Sequence, residues 1–303
     1  MDSFKMKVGF NSSYRITPTN YEQYTKKRPP YVQKVNGSDS YYAVCPECDN
    51  PIQIVGLYKE TIESGKKPYG RHNKGSIQYL ADYSEEDYLF CPYSNSNWKK
   101  SGGKRSPDSP LANRILQTLQ EQFDRIIYLL NKQTGLYIGK KLAKEMLETY
   151  LGNEGWLYKE ATLNNIPWLF GQCNPARPLF GKLIKKNGEL YQAIDTNCPE
   201  VKWEQSTFSN EYVQIKNETG RFITLYFTFL NHQKSIVEEH IVETMDFLVF
   251  REQSEGEDEI IFLKTLPIDS NYFSNLALST KYEDKRNQNL LKMAQTSVNS
   301  YLS

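Results

Sequence analysis

Tyr41-Tyr42-Ala43-Val44-Cys45-Pro46-Glu47-Cys48-Asp49-Asn50-Pro51-Ile52-Gln53-Ile54 is the stretch on which the reading of this chain turns. Tyr41 to Val44 reads as a short strand that runs into a Cys-x-x-Cys knuckle, and Ile52 to Tyr58 as the strand that leaves it. The tight turn of such a knuckle brings both sulfurs to one side, and Pro46 helps to fix it. Further along, Cys91-Pro92 supplies a third thiol, and His72, one of only three histidines, lies between. Three thiolates and one imidazole are the ligand set of a closed structural zinc site. Cys45, Cys48, His72 and Cys91 are therefore the expected zinc ligands, with no position left open for water. Arg71 and Lys74 would favour the thiolate form nearby.

The intervals are 23 residues from Cys48 to His72 and 18 from His72 to Cys91. They match neither a classical finger nor a paired-knuckle ribbon, so the assignment rests on ligand type more than on spacing. Asp49 or Asp82 stands as an alternative fourth ligand. The metal-free alternative is a reduced knuckle in a turn with His72 merely exposed.

Working outward, the first forty residues read as an extended arm with one strand, and Ser84-Glu-Glu-Asp87 as a capping box that starts a short helix. The Ser/Gly/Lys/Arg-rich stretch 95–108 is the best boundary. Next, Asp108 or Ser109 caps a helix on which Leu111, Ile115, Leu116, Leu119, Phe123, Ile126, Ile127 and Leu130 share one face. A second helix is expected over Ile138–Leu151, and a short third over Asn164–Phe170. From Phe180 the period changes. Asn187-Gly188 predicts a two-residue hairpin within Leu183–Ile194. A second hairpin is expected between Tyr212–Lys216 and Arg221–Leu230, and a third between Phe247–Phe250 and Ile260–Lys264. Ile236–Met245 is ambiguous between helix and strand, and a final helix is expected over Tyr282–Tyr301. The fold class is α+β: a zinc-binding module with a basic, aromatic arm over 1–106, a helical region over 107–178, and an antiparallel β domain with a C-terminal helix over 179–303.

Composition sets limits on function. At 39% hydrophobic and 24% charged the chain is globular rather than disordered. The longest strongly apolar run, Phe222–Leu230, is too short for a membrane helix, and the first residues lack a secretory pattern, so a cytoplasmic protein is expected. Five cysteines are an odd number and suit a metal better than a disulfide framework; Cys173 and Cys198 read as inert small hydrophobes. The net charge of +1 gives no strong field, although residues 1–110 hold 16 Lys/Arg against 12 Asp/Glu. Two basic patches with interleaved aromatics flank the metal module: Lys26, Lys27 and Arg28 with Tyr21, Tyr24 and Tyr31, and Trp98, Lys99 and Lys100 with Lys104 and Arg105. Cations for phosphates and rings for bases are what a single-stranded nucleic acid requires, and a solvated face with a linker is the plainer account.

Signals for catalysis are weak. Asp195 with Glu200-Val-Lys202 faintly resembles the two carboxylates and lysine of a divalent-metal nuclease, but Pro199 and a loop lie between them. His232 and His240, with Glu238 and Glu239, could bind a metal or move protons; a solvated charged edge is the plainer account. No nucleotide-binding glycine loop, zinc-protease helix or serine elbow is present, so no nucleotide cofactor is expected. The expected function is a zinc-stabilised, non-catalytic binding protein that contacts nucleic acid. A protein–protein adaptor or assembly subunit is the first alternative and the nuclease the second.

Overall fold

A computed structural model of the chain describes residues 1–9, 12–58, 67–94, 103–207, 209–217, 223–253, 256–281 and 283–302. The N-terminal region is a small antiparallel sheet. It contains β1 (Ser3–Lys5), β2 (Ser13–Arg15), β3 (Val32–Val35), β4 (Ser38–Val44), β5 (Pro51–Val55) and β6 (Tyr69–His72). The order is β2-β1-β4-β5-β6, with β3 on the far part of β4. Between β2 and β3 lies α1 (Pro18–Thr25), started by Pro18 and by Thr17, whose hydroxyl accepts from the Asn20 N–H. The expected extended arm is thus folded. Its strands are too short to show a period, yet Phe4, Ile16 and Tyr21 are fully buried beneath the sheet. The expected short helix is α2 (Glu85–Leu89), with the Ser84 hydroxyl accepting from Asp87 N–H; the reciprocal half of the capping box is replaced, because Ser84 N–H donates to Asn50 Oδ1 and Asp87 accepts from Ser109.

The remainder is built on α3 (Pro110–Thr134), capped by Ser109 and ended by Gly135 in the left-handed conformation. All eight residues of its predicted apolar face are buried. Around it lie β7 (Leu136–Tyr137), α4 (Lys140–Gly152), α5 (Ile166–Gln172), β8 (Arg177–Pro178), β9 (Leu183–Lys185), α6 (Glu189–Asn197), β10 (Val201–Gln205) and β11 (Tyr212–Asn217). Then come β12 (Leu225–Val237), β13 (His240–Arg251), β14 (Glu259–Pro267), α7 (Ser270–Leu278) and α8 (Gln288–Val298). Two further sheets result, β10-β11-β9-β7 and β14-β13-β12-β8, both antiparallel. The fold is α+β. Helix α5 lies against β12 so closely that a Cβ on Gly171 would come within 2.8 Å of the Phe229 ring.

The expected third hairpin is present as β13–β14. The first is not: Asn187 does take a positive φ of 59°, but the chain then enters α6. Leu190 and Ile194 are one helical turn apart and both buried there, so helical burial overrides the hairpin signal. The second also fails, because β11 pairs with β9 and β10 while β12 pairs with β13. Ile236–Met245 is strand on both sides of a turn at Glu238-Glu239, which both have positive φ. The last helix is shorter than expected because Asn287 caps it. One hydrophobic core runs from Leu111 to Val298, so the boundary expected at 178 falls inside a shared interior. A separate, smaller core lies under the N-terminal sheet and includes Cys45, Cys48 and Cys91.

Candidate metal centre

The knuckle is the tip of the β4–β5 hairpin. Val44 and Pro51 are the last paired residues, and the Cys45 N–H donates to the Asn50 carbonyl at 2.8 Å, which closes the loop. Asp49 takes a positive φ of 62° to complete the turn. His72 ends β6, in register with Ile52 of β5, and so reaches the tip from the neighbouring strand. Cys91 follows α2, its N–H donating to Tyr88 O at 3.1 Å. Three separate elements thus deliver four side chains to one point.

One donor atom each from Cys45, Cys48, His72 and Cys91 all lie within 4.8 Å of one another. The Cys45 and Cys91 sulfurs are 3.8 Å apart, and the Cys48 sulfur is 3.3 Å from His72 Nε2. Tetrahedral metal–sulfur bonds of about 2.3 Å place sulfurs roughly 3.8 Å apart, so the spacing suits an ion at the centre. No disulfide links these cysteines, and all three are buried. Second-sphere support is in place: Asn50 Nδ2 donates to the Cys48 sulfur at 3.3 Å, and Tyr88 packs edge-on against the His72 ring.

Burial pushes the thiols up, yet Cys45 is held well below the ordinary thiol range by hydrogen bonds with Cys48 and Cys91 and by the His72 imidazole. Burial and the neighbouring sulfurs push Cys48 and Cys91 up instead. A cation at the centre would favour the thiolate form of all three. The alternative ligands are committed elsewhere. Asp49 pairs with Lys5 and, at 2.6 Å, with Arg114 of α3. Asp82 is outside the cluster.

The site is also where the small sheet meets the large core. Glu47, in the knuckle itself, is buried and accepts from Asn164 Nδ2 at 3.2 Å; the same amide reaches the Pro46 carbonyl. Behind it, Lys234 Nζ lies 3.2 Å from Glu243, and His232 is clamped between Glu243 at 2.5 Å and Glu160 at 3.2 Å. Burial opposes the charge on His232, but the two carboxylates win and raise its pKa. Glu160, 72 residues from His232 in sequence, gave no signal; the residues named beside His232 did not meet it. Glu238 and Glu239 form the hairpin turn, and His240 is exposed, 3.6 Å from Asp2.

The predicted nucleic-acid patches fare unevenly. Lys26, Lys27 and Arg28 are exposed, although Lys27 pairs with Glu22 and lies over the Tyr58 ring. Tyr31 is half-buried, and its hydroxyl donates to Met6 O. Lys104 pairs with Glu154 at 2.8 Å. Arg105 is 3% exposed, donates to the carbonyls of Lys159 and Ala161 and lies 3.6 Å from Asp87, so it cannot meet a phosphate. Trp98, Lys99 and Lys100 lie outside the described residues.

For the nuclease reading, Asp195 accepts from Trp203 Nε1 and Glu200 pairs with Arg251; among the described residues neither belongs to a metal-ligand cluster. No helix among the described residues is long and apolar enough to cross a membrane. No protein-family model, curated protein or solved structure matches the chain.

Proposed function

We propose that this chain is a zinc-stabilised binding protein whose metal is structural and whose partner is another protein. The observation that carries the metal reading is the close set of three buried sulfurs and one half-buried imidazole at tetrahedral spacing. Thiolate with imidazole selects zinc over magnesium or calcium, which want oxygen, and four protein ligands leave no site for an activated water. A protein partner is favoured over nucleic acid because Arg105 and Tyr31 serve the fold and Lys27 and Lys104 are already paired. The nucleic-acid reading rests on Lys26 and Arg28, which stay exposed.

Elemental analysis of purified protein should return about one zinc per chain, and Cys91→Ser should lower that ratio. Protein free of bound metal that keeps its fold overturns the metal reading. A mobility shift with single-stranded RNA or DNA that weakens steeply with salt would restore nucleic acid as the partner.

A further inference from the structure

Strand β12 has an open edge. Among the described residues β8 covers it only at Tyr226 and Phe227, and beyond that point its ladder partner is β13 alone. The hairpin register pairs Val237 with His240, Ser235 with Val242 and Gln233 with Thr244. With a two-residue turn, those pairs exchange hydrogen bonds, so the N–H and C=O of Lys234 and Ile236 point away from β13. Among the described residues no hydrogen bond takes those backbone groups.

The same residues line one wall of a cavity of about 370 Å³, near the lower end of ligand-site sizes. Leu89, Phe90 and Pro92, beside the metal ligand Cys91, form the facing wall, and Glu160 borders it. An exposed hairpin tip stands at one end: Ile236 is 43% and Val237 54% exposed. The charged side chains at the mouth are acidic. Glu160, which lines the cavity, is partly exposed, and Glu238 and Glu239 are exposed at the adjoining hairpin turn, whereas the Lys234 side chain packs against Glu243 and Lys159 is buried.

We propose that the β12 edge from Lys234 to Ile236 is a strand-addition site that takes an extended segment of a partner protein, with an apolar side chain flanked by lysine or arginine. Each feature selects one property of that segment. Unsatisfied backbone donors and acceptors call for an extended main chain; the walls of Phe90, Pro92 and Ile236 call for an apolar side chain; the acidic mouth calls for cations. The metal holds the facing wall, because Cys91 anchors the loop that carries Leu89, Phe90 and Pro92. The site rests on the protein-partner reading above and gives it a location.

The test is fluorescence anisotropy on full-length, zinc-loaded protein with a labelled peptide of alternating lysine and valine. Three companions accompany it: a glutamate-for-lysine peptide, the parent peptide N-methylated on alternate backbone nitrogens, and the variant Ile236→Pro. Proline there removes the outward N–H and leaves the β13 ladder intact. Saturable binding by the parent peptide is expected, weakened at least tenfold by each of the three changes. Equal binding of the N-methylated peptide overturns the proposal, as does an Ile236→Pro protein that melts like the wild type and binds as tightly. Should that variant fail to fold, the N-methylated peptide decides. No binding up to millimolar peptide overturns the groove. If that result comes with a salt-sensitive shift of nucleic acid, the protein-partner reading falls with it; without such a shift, the groove alone falls.

Discussion

The two larger hydrophobic cores among the described residues are held by different means. Around α3 the interior is continuous from Leu111 to Val298 and contains fully buried Trp168, Phe123, Phe170, Phe227, Phe247 and Phe273. Its helix α3 alone runs for 25 residues and its strands are up to 13 residues long. The N-terminal core has far fewer members, strands of three to seven residues, and three cysteines among its buried side chains. A unit that small buries too little apolar surface to offset chain entropy unaided. The large core folds on area; the small one has, in its four clustered side chains, a set that could hold a cation.

The largest test of that contrast is metal removal. Structural zinc contributes about 10–16 kcal/mol of apparent binding energy, so chelation or Cys45→Ser should leave residues 1–94 open to protease while the region from 111 onward keeps its helical circular dichroism. Loss of both regions together would break the comparison. On the other side, Phe247→Ala should cost about 3–5 kcal/mol in the large core, lowering the melting temperature without changing zinc content.

A third variant probes the joint. Asp49 is buried between Lys5 of the small sheet and Arg114 of α3. Asp49→Ala strands a buried cation and should cost about 3 kcal/mol; differential scanning calorimetry should resolve two transitions.

The smallest expected effect is a pH dependence at the seam. His232 has its pKa raised by Glu160 and Glu243, so its contribution is complete below the ordinary histidine value of about 6.5 and is lost as pH rises through the higher folded value. The two glutamates are held low, so their share is lost only on acidification. Melting temperature should therefore fall on the alkaline side, and His232→Gln should flatten that limb.

What could be read in advance follows the same division. The meeting of Cys45, Cys48, His72 and Cys91 was legible because thiol and imidazole have few other uses in that pattern, and α3 because its apolar residues repeat over more than five turns. The arm was misread because β1, β2 and β3 are too short for a period, and Tyr21 looks like a surface tyrosine until Phe4 covers it. Arg105 sat in a polar stretch that reads as linker, yet the carbonyls of Lys159 and Ala161 that hold it lie over fifty residues away. Glu160 beside His232 is a meeting made by the fold alone.

The turn at the tip of the β12–β13 hairpin has a consequence for engineering. Glu238 and Glu239 both sit at positive φ, 48° and 68°, where a side chain costs roughly 1–2 kcal/mol per residue. Asparagine followed by glycine would relieve that cost, and the hairpin would tighten. The same exchange would strip two negative charges from the hairpin tip, and under the strand-addition proposal it would weaken binding of a basic peptide. On that proposal robustness and recognition compete at this tip, and a version thermostabilised there should be the poorer binder.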